Sequence, residues 1–433
     1  MKLVVRTSEP RFARLRKKLV GRGEALESTV EPAVQKILHE VRSRGDRAVA
    51  ELTQRFDGVR VPPSRLEVGR EEMKEACDSL PPRDRSALRL AARRIRAFHR
   101  KQRERSFRYR DSLGVVLGQE IRPLGRVGLY VPGGTAFYPS SVLMNAIPAA
   151  VAGVREVIAV TPPHEGGEPP TLLAAAYLGG VDRIFRVGGA QAVAALAWGT
   201  RRIPRVDKIV GPGNAYVATA KRLVSGWVGI DMVAGPSEVV VVADASADPE
   251  LVAADLLAQA EHGVDSTAVC LTPSLRLARR IEKEVDAQLE TLPRGEVARK
   301  AMVDNGAIIV TRSLSEAVDL ANELAPEHLE LAVAQPRRLV ERIEHAGAIF
   351  LGHHSPEAFG DYMAGPNHVL PTGGSARFAS PLGVYDFVKR TSIIEANPRA
   401  LAKIGAPLMR LAELEGLDAH GAAVGRRIRS KRR

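Results

Sequence analysis

Apolar residues at Val34, Ile37, Leu38 and Val41 recur on one helical face, and Gly45 follows them as a stop. The same periodicity runs through residues 28–112 with no obvious strand, and 113–122 reads as extended. From Arg126 the rhythm changes. Short apolar runs at 127–131, 157–161, 184–187 and 208–210 alternate with helical segments at 141–152, 171–178, 190–198 and 215–224. Buried strands alternating with helices predict right-handed βαβ units and a parallel sheet covered on both faces. The turns after the strands are glycine-rich: Pro132-Gly133-Gly134, Gly188-Gly189-Ala190 and Gly211-Pro212-Gly213.

A second such region opens near Ser237. Its strand 239–242 precedes a helix with Asp248 as N-cap and Pro249 in the first turn. Strands follow at 268–271 and 308–310, then a helix with the capping box Ser313 and Glu316, then strand-like 329–333 and 348–351. Residues 359–374 break the rhythm as a loop too long for a simple connector, and such loops usually carry function. Beyond Ser380 the pattern reads as helical to the end, an appendage suited to oligomerisation. The pattern alone predicts two α/β domains.

The chain has 433 residues, 45% apolar and 26% charged, which suits two or three globular domains and argues against long disorder. No apolar run reaches the roughly eighteen residues of a membrane span, and the start carries no secretory signal, so a cytoplasmic protein is expected. Only two cysteines, Cys77 and Cys270, are present, far apart in sequence, and that count excludes a disulfide framework and a cysteine-built zinc site. Cys270 lies in an apolar run and reads as a packed, inert thiol. The net charge of +13 raises the possibility of a nucleic-acid partner. Much of that excess lies in Arg93–Arg110, read as the solvated side of a helix, and in the tail from Arg426 to Arg433, read as a frayed terminus. Phe107 and Tyr109 alternate with Arg108 and Arg110, but packing at a helix end explains them as well as a single-strand groove does. No nucleic-acid partner is expected.

Four places gather ligand-capable residues. Gln259 and His262 are three apart on a helix end, so an amide oxygen and an imidazole point to one side, with Gly263 expected as a left-handed cap. Glu327 and His328 offer two proton-transfer groups at a helix-to-strand junction. Strand neighbours point to opposite faces, so both reach one pocket only if the backbone is irregular there, which Pro326 allows. The long loop offers Asp361 and His368, and the terminal helical segment offers Glu415 and His420. Each place alone is compatible with an ordinary polar surface. Together Gln259, His262, Asp361 and His420 would make an oxygen-and-nitrogen site suited to zinc or a harder divalent ion, but spacing does not show that they converge.

The chain resembles histidinol dehydrogenase over nearly its whole length. The stretches that carry the resemblance are Gly133 to Ser141, Val187 to Ala192, Gly211 to Ala215, Ala234 to Val239, Gln259 to Gly263, Ala325 to Leu329 and Gly360 to Thr372. The resemblance implies NAD-dependent oxidation of L-histidinol to L-histidine through L-histidinaldehyde. It implies one zinc per subunit, held by Gln259, His262, Asp361 and His420. The family's site is built between two subunits of a homodimer, with the C-terminal histidine given by the partner chain. Glu327 and His328 match its acid–base pair. Its substrate contacts match Ser237, Gln259, His262, His328, Asp361, His368, Glu415 and His420, and its NAD contacts match Tyr130, Gln191 and Asn214. The fold class expected is α/β: two related, incomplete Rossmann-like parallel-sheet domains, a small helical C-terminal domain and an N-terminal arm. The division expected is an arm at 1–27, a first α/β domain from 28–129 and 236–378 carrying most metal and catalytic residues, an NAD domain at 130–235, and a helical dimerisation segment at 379–433.

A zinc hydrolase, with Glu327 activating water, is the main competing class. The glycine-rich turns between 130 and 214 argue against it, because a hydrolase needs no nucleotide platform. The usual G-x-G-x-x-G fingerprint is missing, so the cofactor is expected to bind loosely through a non-standard turn.

Overall fold

Runs of β-branched residues are buried on both faces, and this makes them the centres of parallel sheets. The computed structural model of the chain describes residues 1–26, 30–133 and 138–429. Gly134 to Phe137 of the first glycine-rich stretch, and the tail from Ser430, lie outside the described residues. The chain folds as two units, one of Met1–Gln102 with Leu124–Phe387 and another of Arg103–Pro123 with Val388–Arg433.

The larger unit holds two six-stranded sheets. In the first, the spatial order is Val4–Arg6, Ala307–Val310, Thr267–Thr272, Glu238–Ala243, His328–Ala332 and Ala348–Leu351, all parallel. The second runs Glu67–Val68, Arg183–Arg186, Glu156–Thr161, Arg126–Tyr130, Lys208–Val210 and Gly229–Ile230. It is parallel except at the edge strand Glu67–Val68. Apart from that edge and Val4–Arg6, both sheets start from a central strand, build outward on one side and then cross to the other. This is the doubly wound pattern, and each sheet has a switch point where the order reverses. The expected α/β class with two related parallel sheets is what the chain adopts.

The helices did not sort as the sequence suggested. Glu31–Arg44 and Asp46–Asp57 bury Val34, Ile37, Leu38, Val41, Val49 and Leu52 against the second sheet, and Pro82–Lys101 buries Ile95 on its other face. Helices 31–57 therefore pack on the second sheet, whereas Arg94 of Pro82–Lys101 donates to the Met363 and Ala364 carbonyls within 236–378. The strand of the N-terminal arm pairs with Ala307–Val310. An amphipathic stripe states that a helix must be covered but not which sheet will cover it.

The smaller unit corrects two further expectations. Phe107–Arg110, Val116–Pro123 and Val388–Glu395 form an antiparallel sheet, so 103–112 is not a helix end and the chain beyond Ser380 is not all helical. Val388–Glu395 carries the β-branched Val388, Thr391, Ile393 and Ile394, which suits a pleated strand. Helices Pro398–Leu414 and Asp418–Arg429 follow, the first capped by Asn397, whose side-chain oxygen accepts from the Ala400 N–H at 2.9 Å. Among the described residues no helix is long and apolar enough to cross a membrane.

At the switch point of the second sheet the Gly211 turn is clamped by a buried ion pair. Lys221 and Asp231 pair with side chains 2% and 1% exposed. Lys221 Nζ donates to the Gly211 carbonyl at 2.9 Å, and Asp231 Oδ2 accepts from the Gly211 N–H at 2.8 Å. Gly211 has φ +110°, and a Cβ there would sit 2.2 Å from the Tyr130 carbonyl oxygen, so only glycine fits this close approach. Removing one partner of such a pair strands the other charge out of water. Lys221→Met is expected to cost about 3–5 kcal/mol of folding stability by denaturant titration, whereas Lys221→Met with Asp231→Leu should recover most of it.

Candidate functional site

The carboxylate and imidazole expected at the helix-to-strand junction do converge, because the backbone there is irregular. Helix Leu314–Leu324 ends at Ala325, the one non-glycine residue at positive φ among the described residues, at φ 45°. Pro326 follows, and the strand begins only at His328. Glu327 therefore stands outside the pleat. Both side chains turn to the same residue on the neighbouring strand. The Glu238 N–H donates to Glu327 Oε2 at 2.9 Å, and His328 Nδ1 donates to the Glu238 carbonyl at 3.1 Å. His328 Nδ1 lies 3.7 Å from Glu327 Oε2.

A carbonyl can only accept, so His328 carries its proton on Nδ1 and leaves the Nε2 lone pair available. Nε2 is buried without a hydrogen-bond partner among the described residues, 3.9 Å from Asp361 Oδ1. Burial pushes the imidazole pKa down to about 3; the Glu238 carbonyl opposes this, and His368 and His262 add to it. The ring is neutral at physiological pH. Glu327 moves the other way: burial, then the Glu238 charge, lift its carboxyl well above the usual range.

Gln259 and His262 follow from helix Pro249–Ala260, which is capped by Asp248 as expected, with Asp248 Oδ1 accepting from Glu250 at 3.0 Å. Gly263 is not among the left-handed glycines; Glu261 ends the helix in right-handed geometry and His262 sits in the turn beyond. The stretch read as loop from 359 starts instead with a helical turn, Glu357–Phe359, running into a π-helical turn at Gly360–Ala364. Such π turns occur often at functional sites.

That helix brings in a residue the sequence pattern does not single out. Glu357 is 3% exposed and four positions before Asp361, so the two share a face. His262, Glu357 and Asp361 each offer a ligand atom within 4.8 Å of the others. Buried Gln259 joins them, its amide nitrogen donating to Glu357 at 2.9 and 3.2 Å in the orientation that satisfies both groups. Burial lifts the Glu357 carboxyl well above the usual range, and the charges of Asp361, Glu327, Glu330 and Asp255 add to this. Burial alone takes Asp361 to about 6. An amide, an imidazole, the buried Glu357 carboxyl and the half-buried Asp361 carboxyl, without thiolates, form a donor set that fits a divalent cation, zinc included, and its charge would favour their ionised forms. A cavity of about 510 Å³ adjoins His262, lined also by Leu143, Glu261, Arg294 and Tyr362.

His368 lies beside this cluster, with Nδ1 donating to the Asp361 carbonyl at 3.0 Å and Nε2 3.4 Å from Ser141 Oγ. Burial pushes its pKa down to about 4. Ser237 is half-buried just before the strand that starts at Glu238. Glu415 and His420 belong to the smaller unit, where both are exposed, Glu415 at the end of helix Pro398–Leu414 and His420 on helix Asp418–Arg429.

Tyr130, Gln191 and Asn214 cluster at the carboxyl end of the second sheet. The Tyr130 hydroxyl accepts from the Gly189 N–H at 3.0 Å, and burial takes the phenol to about 12. Gln191 is 1% exposed, and its Nε2 has no partner among the described residues. Asn214 Oδ1 caps helix Ala215–Val224 by accepting from Tyr216 and Val217 at 3.1 and 3.2 Å. Cys270 is fully buried, and burial takes its thiol to about 12, which fits the inert reading.

Comparison with known proteins agrees along the chain. Residues 21–428 match the family model described as histidinol dehydrogenase. A relative named histidinol dehydrogenase from Syntrophotalea carbinolica is 56% identical over 411 residues, 95% of each chain. One of the same name from Aquifex aeolicus is 52% identical over 407 residues, 94% of each. The crystal structure of histidinol dehydrogenase from Elizabethkingia anophelis superposes with a TM-score of 0.93 at 36% identity, covering 100% of this chain and 99% of that one.

Proposed function

The chain belongs to the histidinol dehydrogenase family, oxidoreductases of histidine biosynthesis, and from that premise we propose that it oxidises L-histidinol to L-histidine through L-histidinaldehyde in two NAD-dependent steps. The observation that carries this reading is the neutral, buried His328 with its Nε2 lone pair unengaged beside a cation-suited donor set.

Oxidising an alcohol requires a base to take the O–H proton as hydride leaves carbon, and His328 Nε2 is that base. The aldehyde must then gain water before a second hydride can leave. Glu327, beside His328 and held by the Glu238 N–H, activates that water. Gln259, His262 and Asp361, with Glu357 behind Gln259, are the residues that would hold zinc. When bound, zinc would supply a fixed positive charge that orients the substrate and so holds the reacting carbon in place. Ser237 and His368 orient the substrate. Tyr130, Gln191 and Asn214 contact NAD, which supplies the hydride acceptor. By the same reading His420 and Glu415 serve the site of a second copy, so the enzyme works as a cytoplasmic homodimer with one zinc per subunit.

The reading is tested by incubating the purified protein with L-histidinol and NAD. NADH formation supports it, and hydrolysis of an amide or ester without NAD would favour the hydrolase class. His328→Asn is expected to lower turnover of both the alcohol and the aldehyde on the order of 100-fold or more. Glu327→Gln should slow aldehyde oxidation far more than alcohol oxidation, and equal damage to both steps removes Glu327 from the water-activating role. His262→Asn should leave less than stoichiometric zinc after dialysis, measured by metal analysis; full occupancy would remove His262 from the ligand set.

A further inference from the structure

One buried cation of the N-terminal arm touches both backbone segments that make the acid–base pair. Arg22 follows helix Pro10–Val20 and has a side chain only 13% exposed. Its Nε donates to Glu238 Oε2 in an ion pair whose carboxylate is 3% exposed. Its Nη1 donates to the Leu19 carbonyl at 2.6 Å, and its Nη2 to the Leu324 carbonyl at 2.7 Å. The other Glu238 oxygen accepts from the Gly373 N–H at 3.0 Å.

These contacts have consequences because of what lies on either side. Glu238 is the residue whose N–H holds Glu327 and whose carbonyl holds His328. Leu324 immediately precedes Ala325, the left-handed residue that lets Glu327 leave the pleat. A non-glycine residue in that conformation is strained and persists only where its surroundings hold it. The planar guanidinium, with donors in fixed directions, bonds the carboxylate and the carbonyl at once. Lysine, with one ammonium on a flexible stem, does not reproduce that geometry.

We propose that Arg22 is a positioning residue for the reaction, fastening the Glu238 strand to the turn before Glu327 so that Glu327 and His328 face one cavity. The N-terminal arm then serves the chemistry as well as the edge of the sheet. The proposal rests on the functional reading above.

The test uses the full-length, zinc-loaded enzyme with Arg22→Met, Arg22→Lys, Glu238→Gln and the double variant Arg22→Met with Glu238→Gln. Steady-state kinetics, zinc content and thermal unfolding are read for each. Arg22→Met is expected to lower kcat on the order of 100-fold, with KM for histidinol and NAD within about threefold and zinc content unchanged. Arg22→Lys should recover part of that loss, and the double variant should be no slower than Arg22→Met, because the two residues act through one contact. A parent-like kcat in Arg22→Met, or a loss matched by lost zinc or raised KM, overturns the proposal. Should Arg22→Met fail to fold, Arg22→Lys decides: kcat about tenfold down in a folded, zinc-loaded enzyme supports the proposal, and parent-like kcat overturns it. A parent enzyme that makes no NADH from histidinol overturns the functional reading, and the proposal with it. An active parent beside a parent-like variant overturns the proposal alone.

Discussion

The backbone N–H and carbonyl of Glu238 together fix how Glu327 and His328 are held. One backbone N–H donates to a carboxyl oxygen of Glu327, and the carbonyl of the same residue accepts a hydrogen bond from His328 Nδ1–H. Backbone groups cannot change their protonation state, so they set the tautomer of the ring and the orientation of the acid without competing for the proton being moved. Their position follows from the sheet. Val239 pairs with His328 in parallel register at the switch point, which brings the start of one strand beside the start of the other. Glu327 and His328 lie at the amino end of a strand in the first sheet, whereas Tyr130, Gln191 and Asn214 lie at the carboxyl ends in the second. Only the latter follows the usual rule for open α/β sheets.

Burial supplies the rest. A carboxyl out of water resists ionising and an imidazole out of water resists protonation. Five acidic side chains, Asp255, Glu327, Glu330, Glu357 and Asp361, are shifted upward for that reason first, and His328 and His368 are shifted downward. Packing so many acids together is costly in their charged forms, and a divalent cation bound among them would offset that cost. The same desolvation keeps the His328 ring neutral where an exposed histidine would be partly protonated.

Much of this was legible in the sequence. The alternation of short β-branched runs with helices pointed to the α/β class, and Asp248 and Ser313 cap helices where their spacing with later residues indicated. Pro326 pointed to the irregular backbone that Glu327 and His328 need. The destination of helices 31–57 was not legible, because an apolar stripe does not name its partner. Strand Val388–Glu395 was missed because its apolar residues Val388, Ile393 and Ile394 do not alternate with polar ones. Glu357 was missed because the helical turn continuing to Asp361 reads as loop; its i, i+4 spacing from Asp361 was the available signal. Arg22 carries no local signal at all, since its partners Glu238 and Leu324 lie in distant strands and turns.

The claim on which everything else rests is that His328 is a neutral base with its proton on Nδ1, fixed there by a backbone carbonyl. Nitrogen-15 NMR of the enzyme with labelled imidazole rings measures this directly, with His328→Asn assigning the signal. The account predicts a ring protonated on Nδ1 and deprotonated on Nε2 across roughly pH 6 to 8. A doubly protonated ring in that range, or a proton on Nε2 in its place, would contradict it.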